Sequence, residues 1–326
     1  MSDSVINISV GIPVYGVEKY IERCARSLFE QTIDKGIEFI FVNDCTKDRS
    51  IEILEQVLGE YPHRKNQTKI IHASQNGGSA TTRNIALTHA SGKYMIFCDS
   101  DDWVEPDMYS TLLSEAEATD ADMTICGFYW EYPGKKVKAT VPILETSYDY
   151  VEHMLASDIH CSTWNKLIKR ELYNHAKISF PDGINMWEDV NVIIPLTYHC
   201  NKIAVIDRQL YHYEQSNVES YTKRITPQSL ENIKQTVEKL DIFVNRTNNP
   251  RLKRALNYFK LTARLNILLS SDNRELWHFS NLFPEANRYI MSYNALSTYW
   301  KAGLWLASKK QIWLFRLMMC LKNYIA

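Results

Sequence analysis

No run of about 18 uncharged apolar residues occurs in the 326-residue chain, which removes a membrane-spanning helix but leaves surface attachment open. An excess of charge of either sign is missing too. With 37 lysines and arginines against 38 aspartates and glutamates, the formal net charge is −1, so no basic footprint for nucleic acid exists. None of the seven cysteines (Cys24, Cys45, Cys98, Cys126, Cys161, Cys200, Cys320) stands in a C-x-x-C pair, and the number is odd. They read as reduced thiols of a cytosolic protein, which excludes a disulfide framework and a thiolate zinc site. The first residues, Met1-Ser2-Asp3-Ser4-Val5, lack a basic stretch followed by an apolar one, so no signal peptide is expected. No segment repeats at a fixed period, which argues against a solenoid.

What is present is about twice the length of a usual domain, with an ordinary apolar fraction of 45%. One α/β domain plus a smaller appended part is expected. Ile6 to Val14 is a β-rich apolar run ending at Tyr15-Gly16, and a helical pattern follows with Tyr20, Ile21, Cys24 and Leu28. Strand-like runs recur at Ile37 to Val42, Lys69 to His72 and Tyr94 to Cys98, with helices between them from Ser50 to Leu58 and up to His89. This alternation predicts a mainly parallel sheet flanked by helices, with ligands gathered beyond the carboxyl ends of the strands. After Tyr150 the pattern turns more helical, Lys202 to Tyr213 reads as strands, and a helical C-terminal region follows from Gln228. The division is placed near Ser220 to Pro227, giving units 1–222 and 223–326.

Three polar clusters fall at such strand ends or helix starts. Asp99-Ser100-Asp101-Asp102 puts three carboxylates in four residues, a repulsive set that asks for a cation or strong hydrogen bonding. Hard oxygens of this kind suit Mg²⁺ or Mn²⁺ beside a diphosphate. The plainer reading is a solvated loop with Asp102 capping the helix after Pro106. Asn76-Gly77-Gly78-Ser79 offers a helix N-terminus free of Cβ bulk, fit for an anion or a nucleotide, and equally an ordinary loop. Glu188-Asp189 follows Trp187. A carboxylate beside an indole loses water, which raises its pKa and fits it to take a proton; alternatively it is only a helix-start carboxylate.

Together, Val10-Gly-Ile-Pro-Val-Tyr15, Val42-Asn-Asp44, Asn76 to Asn84, Phe97-Cys-Asp99-Ser-Asp101-Asp102-Trp103, Trp164-Asn-Lys166-Leu167 and Trp187-Glu188-Asp189 stand in the order and spacing of family 2 glycosyltransferases. The chain resembles that family over roughly Val5 to Ser220. The resemblance implies a GT-A fold and inverting, metal-dependent transfer of a hexose or N-acetylhexosamine from a nucleotide sugar, UDP-linked by expectation, to a glycan or lipid-linked hydroxyl. By the same resemblance Pro13 and Tyr15 line the base pocket, Asp44 hydrogen-bonds the base, and Arg83 reaches base or ribose. Asp99 contacts ribose and diphosphate, Asp101 holds the metal with Asp99, and Asp189 is the general base with Glu188 beside it. Lys166 is implied as a donor-phosphate or acceptor contact. The pattern departs in two places: Asn43 stands where the family usually has a first aspartate, and Gln215-Ser216-Asn217 stands where many members have a histidine. His212 is read as a packed strand histidine, so the third metal ligand stays open.

Two other functions use a sheet of this kind. A sugar-phosphate nucleotidyltransferase wants a glycine-rich basic loop after the first strand, and Pro13-Val14-Tyr15-Gly16 does not supply it. A non-catalytic glycan-binding protein on the same fold has no use for Asp99, Asp101 and Asp189 together. Finally, Ser297 to Tyr324 is rich in apolar residues, with Lys301, Ser308, Arg316 and Asn323 recurring every seven or eight positions. A helix there carries a narrow polar stripe and must cover its apolar surface. It packs on the protein, forms a homodimer seam, or lies in a membrane interface, which Trp300, Trp305, Trp313 and the interleaved lysines favour. The location expected is cytoplasmic, peripheral on the inner face of the plasma membrane.

Overall fold

The structure, a computed structural model, describes residues 5–217, 226–270, 276 and 279–325, with side chains described as far as Cys320. The chain divides into two compact units, residues 1–147 with 161–224, and residues 148–160 with 225–326. The division at residue 222 drawn from sequence has no place for this excursion: the helix that starts at Ser147 belongs with the second unit. The junction expected near Ser220 to Pro227 lies largely outside the described residues.

In the first unit, β1 (Ile8–Val14), β2 (Ile37–Asn43), β3 (Thr68–His72) and β4 (Tyr94–Phe97) lie side by side, all parallel, in the order β3-β2-β1-β4. β1 and β2 are apolar nearly throughout because helices cover both faces, the usual reason parallel strands read as continuous hydrophobic runs. The helices are α1 (Ile21–Phe29), α2 (Ser50–Glu60) and α3 (Gly78–His89). Ile21, Cys24, Ala25 and Leu28 form the buried stripe of α1.

The other half of the sheet is mixed. β5 (Trp103–Val104), α4 (Met108–Thr119), β6 (Met123–Tyr132), β7 (Lys135–Ala139), β8 (Lys166–Lys169), α6 (Glu171–His175), α7 (Val190–His199) and β9 (Ile203–Glu214) follow, with α5 (Ser147–Leu155) in the second unit. β8 runs antiparallel to both β4 and β6, whereas β9 pairs parallel with β6 and antiparallel with β5. The expected parallel order thus holds for β1 to β4, and β8 reverses it. One core of aromatic and aliphatic side chains runs under the sheet, including Phe39, Phe41, Tyr94, Tyr109, Trp164 and Tyr211.

The second unit holds α8 (Pro227–Thr247), α9 (Pro250–Ser270), α10 (Thr298–Ser308) and α11 (Ile312–Ile325). Thr226 accepts the Ser229 N–H and Pro227 takes the first helical position, a standard start, and left-handed Asn248 ends α8. The single C-terminal helix expected from sequence is two helices. Lys310, at φ +58°, breaks the chain, so the polar stripe is not continuous. The break lets α11 fold back on α10: Gly303 leaves room where a Cβ would lie 2.5 Å from Met318 Cε, and Leu304, Ala307 and Phe315 are buried with Leu261, Leu265 and Leu268. Packing therefore covers one face. Trp305, Trp313 and Leu317 remain exposed. Asn323 of the stripe and Lys322 of the interleaved basic residues have side chains outside the described residues. No helix among the described residues is long and apolar enough to cross a membrane.

Candidate active site

The carboxyl ends of β1, β2 and β4 bring the first cluster together. Pro13 is half-buried at the end of β1 and Tyr15 is exposed beyond it. Asp44, just after β2, is buried, and its two carboxylate oxygens accept the Gly77 and Gly78 N–H groups at 2.8 Å each. Burial raises the Asp44 carboxyl, and these two donors oppose it. The N-terminus of α3, read from sequence as open to an anion, therefore already holds one: the chain's own carboxylate. Gly78 is obligatory here. Its φ is +78°, and a Cβ would fall 2.3 Å from the Asn185 amide, whose Oδ1 accepts the Ala80 N–H at 3.1 Å.

The four residues Asp99 to Asp102, one residue beyond β4, alternate in role. Asp99 and Asp101 are half-buried, whereas Ser100 and Asp102 point inward. Asp102 is no solvated cap, as the plainer reading had it. It is fully buried, accepting the Tyr211 O–H at 2.5 Å and the Glu214 N–H at 2.8 Å, and so fastens the loop to β9. Tyr211 also takes the Asp99 N–H at 3.1 Å and stacks on Trp164 at 4.2 Å. Arg23 from α1 lies 3.6 Å over Trp103 and donates to the Asp101 carbonyl and to Glu214. Asp101 Oδ2 accepts from Asn217 Nδ2 at 2.8 Å, at the place where the family pattern led to a histidine. Burial and the neighbouring Asp99 charge push the Asp101 carboxyl up to about 6. Two oxygen-donor carboxylates that repel each other fit a hard divalent cation. No three of His, Cys, Asp and Glu among the described residues converge on a metal site, and of the pair expected from sequence to hold the metal Asp99 already gives one oxygen to Arg83.

Arg83 of α3 links this loop to the third cluster. Its Nη2 donates to Asp99 Oδ1 at 2.8 Å and its Nη1 to Glu188 Oε1. The guanidinium is almost wholly buried, near the rings of Phe97 and Phe180, and the flanking carboxylates hold its proton firmly. Glu188 is thus engaged by Arg83. Asp189, at the start of α7, has Oδ1 on the Val190 N–H at 2.9 Å, and no donor among the described residues reaches Oδ2. Burial first, then the Glu188 charge, raise the Asp189 carboxyl to about 7, with Arg83 opposing. Trp187 precedes the pair at φ +62°, a left-handed conformation unusual for a bulky residue and typical of strained functional turns.

One sequence expectation changes and another holds. Lys166 is wholly buried, with Nζ on the Ser162 carbonyl at 2.9 Å and on Asn165 Oδ1 at 2.8 Å. It braces the Trp164-Asn165-Lys166 segment where sequence had it touching donor or acceptor, and burial lowers its pKa to about 8. His212 is, as read, a packed strand histidine: it sits between Trp103 and Tyr129 and bonds to Glu105 and Glu131. Sequence reasoning missed Arg23, Asn185, Tyr211 and Glu214, which act on the site through other residues. Only the aromatic density of Trp103 and Trp164 hinted at them.

A GT-A sheet with this set of carboxylates defines the class, and the relatives agree. The sequence profile of Glycosyl transferase family 2 matches residues 9–178, more than half of the chain, which therefore belongs to that family. The chain is 32% identical over 217 residues to the uncharacterized glycosyltransferase EpsJ of Bacillus subtilis, covering 64% of this chain and 61% of EpsJ. It thus spans less than two thirds of that relative's length. The crystal structure of Staphylococcus aureus TarS 1-349 with UDP-GlcNAc superposes with a TM-score of 0.71 at 20% identity, over 96% of this chain and 90% of that one. A mannosyltransferase from Pyrobaculum calidifontis, in complex with GDP-Man and Mn²⁺, shares the fold at a TM-score of 0.54 and 14% identity, over 95% of this chain and 88% of its own.

Proposed function

We propose that this chain transfers a hexose or N-acetylhexosamine from a UDP-sugar to a hydroxyl of a glycan or lipid-linked oligosaccharide, with inversion, in surface polysaccharide synthesis. One observation carries the reading. Arg83 spans Asp99 on the loop after β4 and Glu188 before α7, which sets Asp189 beside the donor loop with one carboxylate oxygen unengaged. Asp189 is the general base that takes the acceptor proton, and Glu188, neutralised by Arg83, holds the turn. Pro13 and Tyr15 frame the base, and Asp44 orders the Asn76 to Gly78 turn beside it. A Mg²⁺ or Mn²⁺ ion held by Asp101 and Asp99 would supply charge neutralisation for the departing diphosphate. Opposite placement of base and leaving group inverts the anomeric centre. TarS, crystallised with UDP-GlcNAc, supports the choice of donor nucleotide.

The test is hydrolysis of UDP-glucose, UDP-galactose, UDP-GlcNAc and GDP-mannose by the purified protein, with Mg²⁺ or Mn²⁺ and with chelator. Metal-dependent release of UDP from at least one of the three UDP-sugars is expected, with GDP-mannose as the contrast. Release from none overturns the transferase reading. Asp101→Asn should lower the metal-dependent rate at least tenfold. Its melting temperature in chelator should hold or rise, because a like charge leaves a partly buried loop while Asn217 keeps an acceptor. Near-normal turnover in this variant would remove Asp101 from metal binding.

Membrane association belongs to the same reading. No aspartate or glutamate follows Glu285, while Arg288, Lys301, Lys309, Lys310, Arg316 and Lys322 do. Exposed Trp305, Trp313 and Leu317 add apolar surface near them, a composition suited to an anionic bilayer interface. The protein should co-sediment with vesicles containing phosphatidylglycerol. The triple variant Trp305→Ser, Trp313→Ser and Leu317→Ser should bind at least tenfold less at unchanged melting temperature, since each side chain adds about 1.5–3 kcal/mol when buried. Truncation is a poor test, because Leu304, Ala307 and Phe315 are core. Equal vesicle binding by both proteins rejects the membrane role.

A further inference from the structure

The second unit contains a cavity of about 420 Å³ walled by α5 and the turn after it, the first turns of α9, and residues 292–295. This lies within the range of small-molecule sites, roughly 300–1,000 Å³. Its frame is built. Tyr293 donates its O–H to the Ala156 carbonyl at 2.7 Å, Tyr258 stacks on Tyr293 at 4.7 Å, and Arg254 Nε donates to the Tyr258 hydroxyl at 2.9 Å. Arg251 is consumed by Asp149 and Glu152. These contacts hold the wall without using all of its polar atoms.

Among the described residues, Arg254 Nη1 and Nη2 and the Asn294 amide make no hydrogen bond, and Glu152 engages Arg251 through only one of its two oxygens. Asp158, on the same wall, likewise bonds through one oxygen only. The cavity thus offers donors and acceptors in one small space, beside aromatic surface, with the charges of Arg251, Arg254, Glu152 and Asp158 balanced. A phosphate or other anion would meet two carboxylates, and an apolar ligand would cover charged and polar groups that are exposed to water. A neutral ligand whose hydroxyls both donate and accept satisfies the set.

We propose that this cavity is a saccharide-binding site distinct from the transferase centre, and that it holds sugar units of the acceptor chain. The assignment as an acceptor subsite rests on the transferase reading; saccharide binding does not. Saturation-transfer NMR on the full chain with N,N′-diacetylchitobiose, cellobiose and maltose, each to about 10 mM, tests it, since millimolar affinity is the weak end for such a site. Binding of at least one is expected. UDP should not displace it, and Asp189→Asn should not change it. Arg254→Ala and Asn294→Ala should each weaken it several-fold, and together at least tenfold. Asn294 is exposed and its amide makes no hydrogen bond among the described residues, so Asn294→Ala reads the site with little disturbance of the fold. Binding of none of the three, binding unchanged in both variants, displacement by UDP, or binding of inorganic phosphate in their place overturns the proposal. Should the protein hydrolyse no nucleotide sugar, the transferase reading fails while this binding result stands on its own.

Discussion

Replacing Asp189 by asparagine should slow sugar transfer by roughly 10²–10⁴ while leaving UDP-sugar affinity nearly unchanged, the scale expected for a lost general base. Asparagine keeps the size of the side chain and an oxygen for the Val190 N–H, but cannot take a proton. The native enzyme should show kcat/KM rising with pH through about 7, because only the ionised carboxylate is a base and this one is held up by burial and by Glu188. The sign for stability is opposite. A carboxyl whose folded pKa lies above its unfolded value stabilises the fold at low pH, and that contribution is lost as pH rises toward 7. At pH 8 the variant should therefore melt no lower than the native protein. Failure of the variant to bind donor would place Asp189 in the nucleotide pocket and leave the base unassigned.

Arg83→Met should be the most destabilising substitution in the site. It leaves Asp99, Glu188 and Asp189 without the buried cation that separates them, and breaking a buried pair by removing one partner costs about 3–5 kcal/mol. The loss should be largest above pH 8 and shrink as pH falls through about 7, where the Asp189 carboxyl takes up its proton and one of the charges facing the gap is removed. Arg83→Lys should recover part of the stability yet little activity, because one ammonium does not reproduce a planar fork reaching two carboxylates. Denaturant midpoints at two pH values read the first effect and turnover reads the second. An Arg83→Met protein as stable as the native one at pH 8 would mean that the guanidinium is not what holds these carboxylates together.

This arginine also marks where sequence reading ran out. The first four strands and their loops were legible because buried parallel strands leave apolar runs and their ends leave polar clusters. Asp99, Asp101, Asp189 and Arg83 could be named individually by resemblance. That Arg83 meets Glu188, 105 residues away, follows from how α3 and the turn before α7 converge, which no local periodicity encodes. Likewise, the two-residue β5 is too short to leave a pattern, yet it pairs Trp103 with His212 and so explains why that histidine is packed. Lys166 was misplaced because a motif gives a residue's neighbours in sequence, not the burial of its ammonium. The break at Lys310 was hidden because two short apolar helices in succession have the composition of one long one.

Because residues 148–160 belong with residues 225–326, the first unit is interrupted in the order of synthesis. Tyr150, Val151, Met154 and Leu155 are buried in the finished protein, but their helix leaves the ribosome before any other part of its unit. At about 5–20 residues per second, this helix waits on the order of ten seconds for the rest of its unit. A nascent chain stalled between β9 and α8 would carry a nearly complete transferase unit with a greasy helix hanging from it, a natural target for a chaperone. Fragments cut near residue 222 would keep that liability permanently, so solubility should depend on making the whole chain.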